Sequence, residues 1–552
     1  MSLPLLGNIK CRSMLSVLLL FASLSIPYLS AAPTVNNKNE LETAQTFNHI
    51  KSDPNLLIAF LREMPKGGDL HNHLSGAIFA ESYIDWAIKD KLCLDPKSLK
   101  IFASEQGCNT ENPLLKSALA ADGSHYGRLI DTWSMRNSEY SNQSGHDHFF
   151  SVFGKYSAVS GSRTPDMLAE VAARSEHEKL NYLELMLTPD NGDSQAVGKT
   201  LNWSPDLALQ LKNLLSYQPN TANAPPSIAE IVSQTKARFD DIEKNERKIL
   251  ACNSDDTKPQ PAGCAVTTRY LVQISRGSPL PQVFAQMVMA FELAKADHRF
   301  VGLNLVQPED STAALQNFDE QMRMLNYLRS IYPIGHISLH AGELVPGLSP
   351  PESLRHHIAD SVRIGHAERI GHGVDIMNED NPYAILKEMS DRNVLVEICL
   401  SSNKTILGVQ GKSSPLRTYL QYGVPVALAT DDAGVSRSTI SQEYQQAVEH
   451  IGVTYPELKK MARASLEHAF IEGDSLWVNG KSFTRKNVCS NTASATCTAF
   501  IQANPKARLQ WQLEQEIAAF ESKYSQCSGK KVCTEGGNPR VPADRRSLVN
   551  AF

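Results

Sequence analysis

The chain carries no basic excess. Lys and Arg number 54 against 59 Asp and Glu, for a formal net charge of -5, and no Lys/Arg-rich run of the kind that tracks phosphates is present. Nucleic acid is therefore not an expected partner. Cys-x-x-Cys does not occur, which argues against zinc held by thiolates. There is no internal repeat, and beyond the N-terminus no stretch is long and apolar enough to span a bilayer. The one early apolar run, 14–26, is too short for a comfortable span. It follows Lys10 and Arg12 and precedes Ser30, Ala31 and Ala32. That charged, apolar, small-residue order is that of an export signal, so 1–32 is expected to be a signal peptide and the mature chain secreted or periplasmic, with no stable membrane association. At 42% hydrophobic and 20% charged over 552 residues, the remainder reads as globular, one large domain with additions or three average ones.

The cysteines fit an exported protein. Cys11 lies in the signal and Cys399 in an apolar strand. The other eight fall into neighbouring pairs, Cys93 with Cys108, Cys252 with Cys264, Cys489 with Cys497, and Cys527 with Cys533. Short loops of this kind close readily in an oxidising compartment. Asn142, Asn202 and Asn403 open Asn-x-Ser/Thr sequons, which matter only in a glycosylating host.

Eight short apolar, β-rich runs are expected as strands: 69–73, 182–187, 269–274, 300–306, 336–340, 369–372, 394–399 and 425–430. Amphipathic stretches, among them 280–296, 312–330, 381–391 and 413–422, separate them. Strand and helix alternating to a count of eight predict an α/β fold, a parallel (β/α)8 TIM barrel, over 33–475. Polar residues at the strand C-ends support the barrel over an open sheet, because barrel active sites gather at that face. Two gaps, at about 92–130 and 189–267, read as insertions, each stapled by a cysteine pair. Residues 476–552 form a Cys-containing C-terminal extension with one strong helix pattern, 509–524.

The chemistry-bearing residues sit at those strand ends. "GGDLHNHLSG" places His71 and His73 two apart, hence on one side of a strand. Alone the pair decides nothing, and "GHDHFF" repeats the spacing with His146 and His148 in a polar stretch read as structural or surface. The other ends decide it. "ISLHAGE" ends in His340 with Glu343 three residues on, "RIGHG" in His372, and "ALATDDAG" in Asp431 and Asp432. Three imidazoles and a carboxylate suit zinc, and Glu343, His372 and the second Asp are left over as acid and base groups. His366 precedes the strand that His372 ends and is set aside. His336 is expected to pack or cap, and His356 and His357 to be surface or core. The strand "FVGLNLV" offers no lysine to bridge two metals, and the His-x-Glu with Pro-Cys-x-x-Cys of the cytidine-type deaminases is absent.

With "MPKGGDLHNHLSGA", "SLHAGE", "RIGHGVDI", "EICLSSN" and "ALATDDAG" on the page, the chain resembles the adenosine deaminases, and among them the secreted, growth-factor-type branch, over roughly 60–475. The resemblance implies one Zn²⁺ per subunit held by His71, His73, His340 and Asp431. It implies that Glu343 protonates purine N1 and that His372 and Asp432 orient and deprotonate the attacking water. The expected activity is hydrolytic deamination of adenosine and 2′-deoxyadenosine to the inosine forms and ammonia, with a small-molecule purine nucleoside as partner and, by the same resemblance, a possible homodimer. Candidate substrate contacts are Ser75, Gln307, Gly342 and Trp133. Of the aromatics near the mouth (Trp86, Trp133, Phe149, Phe150 and Phe153), Trp133 is expected to border the pocket and plain core packing is favoured for the rest.

Two positions depart from the family pattern. Ser75 stands where an acidic residue usually meets the ribose 5′-hydroxyl, and Gln307, with Glu309 beyond it, stands where a glycine usually contacts purine N3. Adenine or another aminopurine is therefore the alternative substrate, and a partner-binding or signalling protein on the same barrel is the alternative function.

Overall fold

The structure is a computed structural model that describes residues 37–254 and 258–527. The expected signal segment 1–32 and Cys533 lie outside these residues. Ten strands are described: β1 (Gly67–His73), β2 (Cys93–Asp95), β3 (Lys100–Phe102), β4 (Leu180–Leu187), β5 (Thr267–Ser275), β6 (Phe300–Val306), β7 (His336–Ala341), β8 (Arg369–His372), β9 (Leu395–Ile398) and β10 (Val426–Leu428). Eight of them form one parallel sheet in the order β1-β4-β5-β6-β7-β8-β9-β10. The remaining two, β2 and β3, pair as an antiparallel hairpin. The eight are the runs expected from sequence, with ends shifted by a few residues.

The sheet closes on itself. Asp431 N–H donates to the His71 carbonyl at 2.8 Å, and His73 N–H donates to the Asp431 carbonyl at 3.1 Å. A (β/α)8 barrel results, and its seam is stitched by three residues already singled out for their chemistry. Asp69 secures the same seam, accepting from Thr430 Oγ1 at 2.6 Å and from Asn72 Nδ2 at 3.1 Å.

The strands are buried along nearly their whole length, as parallel strands covered by helices on their outer face must be. The helix Leu280–Ala296 shows why. Most of its residues between Val283 and Ala294 are buried between neighbours, and it begins with Pro at its first turn. The helix Thr312–Ile331 is capped by Ser311, whose Oγ accepts from Ala314 N–H, satisfying one of the free donors at a helix start.

The two insertions are ordered and largely helical. The first holds the β2–β3 hairpin, stapled by Cys93–Cys108, then helices Leu115–Ala121 and Ser124–Thr132. The second carries helices Asp193–Thr200, Leu207–Leu215 and Ile228–Ile249, with the Cys252–Cys264 disulfide closing the return to β5. Its prolines lie outside these helices. A Ser227–Glu230 capping box starts the long helix. In the C-terminal extension Cys489 bonds Cys497. The helix Pro505–Ser525 begins four residues before the expected pattern, because Pro505 is tolerated in a first turn. Its Leu509, Leu513 and Ile517 share a buried cluster with Leu70, Tyr182, Leu395 and Ala427 of the barrel strands. Cys527 is disulfide-bonded, and Cys399 is free and buried. Among the described residues no helix is long and apolar enough to cross a membrane.

Candidate active site

At the C-terminal ends of the barrel strands the side chains of His71, His73, His340, His372, Asp431, Asp432 and Glu343 converge. All are buried. His73 Nε2 lies 3.2 Å from His340 Nε2 and 3.3 Å from Asp431 Oδ1, and His71 Nε2 lies 3.4 Å from the same oxygen. These separations have a physical meaning. Two ligands at about 2.0–2.1 Å from a tetrahedral cation stand about 3.3 Å apart.

Two of the facing atoms, His71 Nε2 and His372 Nε2, are buried without any hydrogen-bond partner, a condition a polar interior does not tolerate without a further ligand. The donor set and its spacing fit one divalent cation. Two clusters of metal-ligating type overlap here, one of His71, His340, His372 and Asp431 and the other of His73, Asp431 and Asp432.

Each ring is held from behind, which fixes which nitrogen faces inward. His71 Nδ1 donates to Glu397 Oε2 at 2.7 Å. His340 Nδ1 donates to Asn304 Oδ1 at 2.7 Å, and His372 Nδ1 donates to Asn403 Oδ1 at 2.8 Å. The Gln273 side-chain amide lies 2.8 Å from His73 Nδ1. Glu397 is itself anchored by Arg369 at 2.6 Å and by Ser338 Oγ at 3.1 Å, while Arg369 pairs on its other side with Glu184 at 2.6 Å. Ser402 Oγ donates to Asp431 Oδ2 at 2.5 Å.

Glu343 Oε1 stands 3.6 Å from His372 Nε2. Burial pushes its carboxyl pKa up, against the pull of the His372 charge, as befits a carboxylic acid able to give a proton. Burial and the neighbouring Asp431 also raise Asp432, whose Oδ1 has no hydrogen-bond partner. Burial works against the Asp431 carboxylate too, but the adjacent His71 imidazole and the His372 charge outweigh it and hold its pKa down.

The backbone here is strained. Asp431, His372 and Gln307 hold φ values of 56°, 65° and 79°, in the left-handed region that non-glycine residues avoid and that active sites often exploit. Space is tight: a Cβ on Gly76 would lie 1.5 Å from Asp432 Oδ1, and one on Gly371 would lie 2.6 Å from His71 Cε1.

A cavity of about 660 Å³ opens above these groups, with His73, His340, Glu343, Asp431 and Asp432 on its floor. Ser75 and Gln307 line it. Gln307 fills the glycine-like backbone position and folds its Oε1 back to accept from Gly277 N–H at 3.0 Å. Phe149, Phe150 and Phe153 of the helix Gly145–Ser160 form the apolar wall. They therefore serve the pocket as well as the core.

Trp133 is a correction. It is buried in the core away from the cavity, and its indole N–H donates to the Leu99 carbonyl at 2.8 Å, because the helix Ser124–Thr132 ends by turning it toward the β2–β3 hairpin. Gly342 is a second correction. Its N–H is spent on Glu309 Oε1 at 3.2 Å, and it does not line the cavity.

Sequence reasoning missed the supporting groups. Glu309 accepts from the N–H groups of Gly342 and Glu343 and from His357 Nδ1, at 3.2, 2.9 and 2.7 Å. His357 is therefore part of the scaffold under the site. Glu184, Arg369 and Glu397 each interrupt an apolar strand with a charge, and charges are almost never fully buried unless paired. That was the available signal. Asn403 is buried and bonded to His372, so its sequon is not open to glycosylation in the folded chain. His148 donates to or accepts from nothing near the cation site; its Nε2 meets the Ser134 carbonyl at 3.0 Å. His336 stacks on Phe470 with ring centroids 4.4 Å apart, and His366 meets Asn326 at 2.7 Å, both away from the site.

The family model described as adenosine deaminase matches residues 248–476. An adenosine deaminase of Escherichia coli O139:H28 is 34% identical over 140 residues, covering 25% of this chain and 39% of that protein. An adenine deaminase of Rhizobium leguminosarum bv. trifolii is 30% identical over 141 residues, covering 25% and 40%. The chain thus spans about 40% of the length of these relatives. The crystal structure of an arabidopsis N6-mAMP deaminase is similar at 17% identity and a TM-score of 0.49, over 83% of this chain and 99% of that one. The matched residues 248–476 carry His340, Glu343, His372, Asp431 and Asp432.

Proposed function

We propose that the protein is a zinc-dependent hydrolase that removes the exocyclic amino group of a 6-aminopurine nucleoside, converting adenosine and 2′-deoxyadenosine to the inosine forms and ammonia. The observation that carries this reading is the spacing of the inward-facing His71, His73, His340 and Asp431 atoms at 3.2–3.4 Å with a buried acid, Glu343, on the same cavity floor. Those four residues would hold the Zn²⁺, which when bound lowers the pKa of water to about 7 and supplies a nucleophile at neutral pH.

The chain's own groups do the rest. Glu343 gives a proton to ring nitrogen N1 as the C6–N1 bond loses double-bond character. His372 and Asp432 orient the attacking water and take one of its protons. The C6–O bond forms. The proton held by His372 and Asp432 then passes to the amine, the C6–N bond breaks, and ammonia leaves. The remaining hydroxyl proton returns to Glu343 as the C6 carbonyl forms, so the acid is restored and only water has been consumed. Proton transfers of this kind are worth about 10²–10⁴ in rate.

Adenine is the second reading. Ser75, uncharged, lines the cavity, and one relative is an adenine deaminase. Ammonia release from a panel of adenosine, deoxyadenosine and adenine, with and without a chelator, tests both. Chelator-resistant turnover would refute the metal-dependent reading. In Glu343→Gln, turnover is expected to fall by at least about 10²-fold; a biological effect that survives that loss would favour a binding or signalling role on the same barrel. We further read 1–32 as an export signal, with a secreted or periplasmic mature chain. Three stapled loops support this, and N-terminal sequencing of the exported protein tests it.

A further inference from the structure

The four inward-facing imidazoles are not held alike. Glu397, behind His71, is a carboxylate and can only accept. Asn304, behind His340, is locked in the accepting sense. Its Oδ1 takes both the ring Nδ1–H at 2.7 Å and the backbone N–H at 2.9 Å, while its Nδ2 donates to Ser338 Oγ at 3.3 Å. Asn403 offers its Oδ1 to His372. These three acceptors are fully buried and stand outside the cavity lining. The fourth support, Gln273 behind His73, is partly exposed, lines the cavity and faces its ring in the opposite sense.

The Gln273 Nε2 lies 2.8 Å from His73 Nδ1, and Thr188 Oγ1 donates to the Gln273 Oε1 at 3.3 Å. An amide that donates to Nδ1 needs that nitrogen bare, so the ring hydrogen sits on Nε2. Ligation through Nε2 demands the other tautomer, with the hydrogen on Nδ1 and an acceptor facing it. Gln273 can supply that acceptor without moving its backbone. The oxygen and nitrogen of an amide are nearly the same shape, and the terminal torsion of Gln is broad. Turned end for end, the amide brings Oε1 to His73 Nδ1 and Nε2 to Thr188 Oγ1, a hydroxyl that can accept as well as donate. Both hydrogen bonds survive in either sense. Strand register sets the two amides side by side, Gln273 of β5 against Asn304 of β6. Neighbouring strands thus present one fixed hold and one reversible hold.

We infer that Gln273 is a positioning residue for His73. Its Oε1 accepts from Nδ1 when Nε2 ligates, and its Nε2 donates when it does not, so His73 is the ligand past which a divalent cation enters and leaves. The inference rests on the Zn²⁺ reading of the site. His73 suits that part because it lines the cavity, whereas His71, held by a group that can only accept, does not.

The test is a Zn²⁺ competition titration and chelator-driven Zn²⁺ release of the native chain, Gln273→Met and Gln273→Glu, with denaturant unfolding of each in metal-free form. Methionine keeps the length of the side chain without the amide, and an ionised glutamate can only accept. Gln273→Met should bind Zn²⁺ about 10–100-fold more weakly, with the unfolding midpoint unchanged. Gln273→Glu should bind at least as tightly as the native chain and release Zn²⁺ more slowly, since its hold cannot reverse. In Zn²⁺-loaded protein labelled with ¹⁵N-histidine, the His73 Nδ1–H should be visible in water in the native chain and in Gln273→Glu, and lost to solvent exchange in Gln273→Met. Native Zn²⁺ affinity in Gln273→Met, equal weakening in both variants, or release from Gln273→Glu no slower than from the native chain overturns the inference. Failure of the native chain to bind Zn²⁺ sinks the metal reading and this inference together. Zn²⁺ binding that responds to Gln273 as expected, with no deamination of any 6-aminopurine, sinks the deaminase reading and leaves the role of Gln273 standing.

Discussion

Replacing Glu397 by Gln tests whether the buried chain of charges behind His71 governs the proposed metal site. Glu397 is fully buried and acts as an acceptor at both corners. Oε2 takes the His71 Nδ1 hydrogen at 2.7 Å, Oε1 faces Arg369 Nε at 2.6 Å, and Ser338 Oγ donates to it at 3.1 Å. A glutamine of the same shape keeps one acceptor and turns the other corner into an NH₂, which must then face either the imidazole N–H or the guanidinium. The carboxylate charge that makes His71 a more basic ligand is lost as well. Groups in this supporting position typically weaken metal affinity 10–100-fold when changed, equivalent to about 1.4–2.8 kcal/mol. Arg369 retains its 2.6 Å partner Glu184, so the stability loss should fall below the roughly 3–5 kcal/mol of breaking a buried pair outright. The assay is a Zn²⁺ competition titration of metal-free protein against a chromophoric chelator, paired with denaturant unfolding of the same metal-free sample. Native-like Zn²⁺ affinity combined with lowered stability would refute the argument, because Glu397 would then be only a structural partner for Arg369.

Three further outcomes follow from the geometry. Gly76→Ala places a methyl on Asp432 Oδ1, at 1.5 Å before relaxation; kcat should fall about 10²-fold, the cost of displacing a reacting group by about 1 Å, with circular dichroism unchanged, and full activity would show that Asp432 is not needed in its present place. His146 bridges Asp310 and Asp147, each at 3.0 Å, and the Asp310 hydrogen bond, opposed by partial burial, raises its pKa to about 9. A histidine pKa raised from about 6.5 stabilises fully below about pH 6.5 and loses that contribution as pH rises through about 9, so His146→Gln should cost more stability at pH 6 than at pH 10; equal denaturant midpoint differences at the two pH values would contradict this. Removing the Cys252–Cys264 staple, which closes a loop of sequence separation 12, frees a segment whose closure is worth about 3 kcal/mol in chain entropy. Limited proteolysis within 250–266 should accelerate in Cys252→Ser/Cys264→Ser, and an unchanged cleavage rate would count against the staple as the restraint.

The barrel was legible because its signal is local. Each strand is an apolar run, several of the runs end in a polar residue, and period and count together name the architecture. The proposed ligating and acid–base residues were picked out for the same reason, since His372 ends its strand and Asp431 follows shortly after its own. The supporting layer was hidden because its partners are far apart in sequence. Asn304 serves His340 from 36 residues away, and Glu397 serves His71 from 326; no spacing rule connects them. What sequence did hold was the anomaly of a charge inside each of three apolar strands, and that anomaly becomes an argument only when the three are read together, as one acid–base–acid relay that must pair to be buried at all.

Trp133 and Gly342 show the opposite limit. Both were expected as substrate contacts. The direction of a side chain or N–H is decided by packing. Trp133 closes its helix and needs an acceptor for a buried indole, which Leu99 supplies; Gly342 turns at φ 72° and gives its N–H to Glu309. The same Glu309 holds the Glu343 N–H at 2.9 Å, so one buried carboxylate sets the backbone on which the proposed acid is carried. The acid's position therefore depends on a residue whose only sequence cue was its place two beyond Gln307, and the catalytic loop is built from the fourth strand's exit as much as from its own motif.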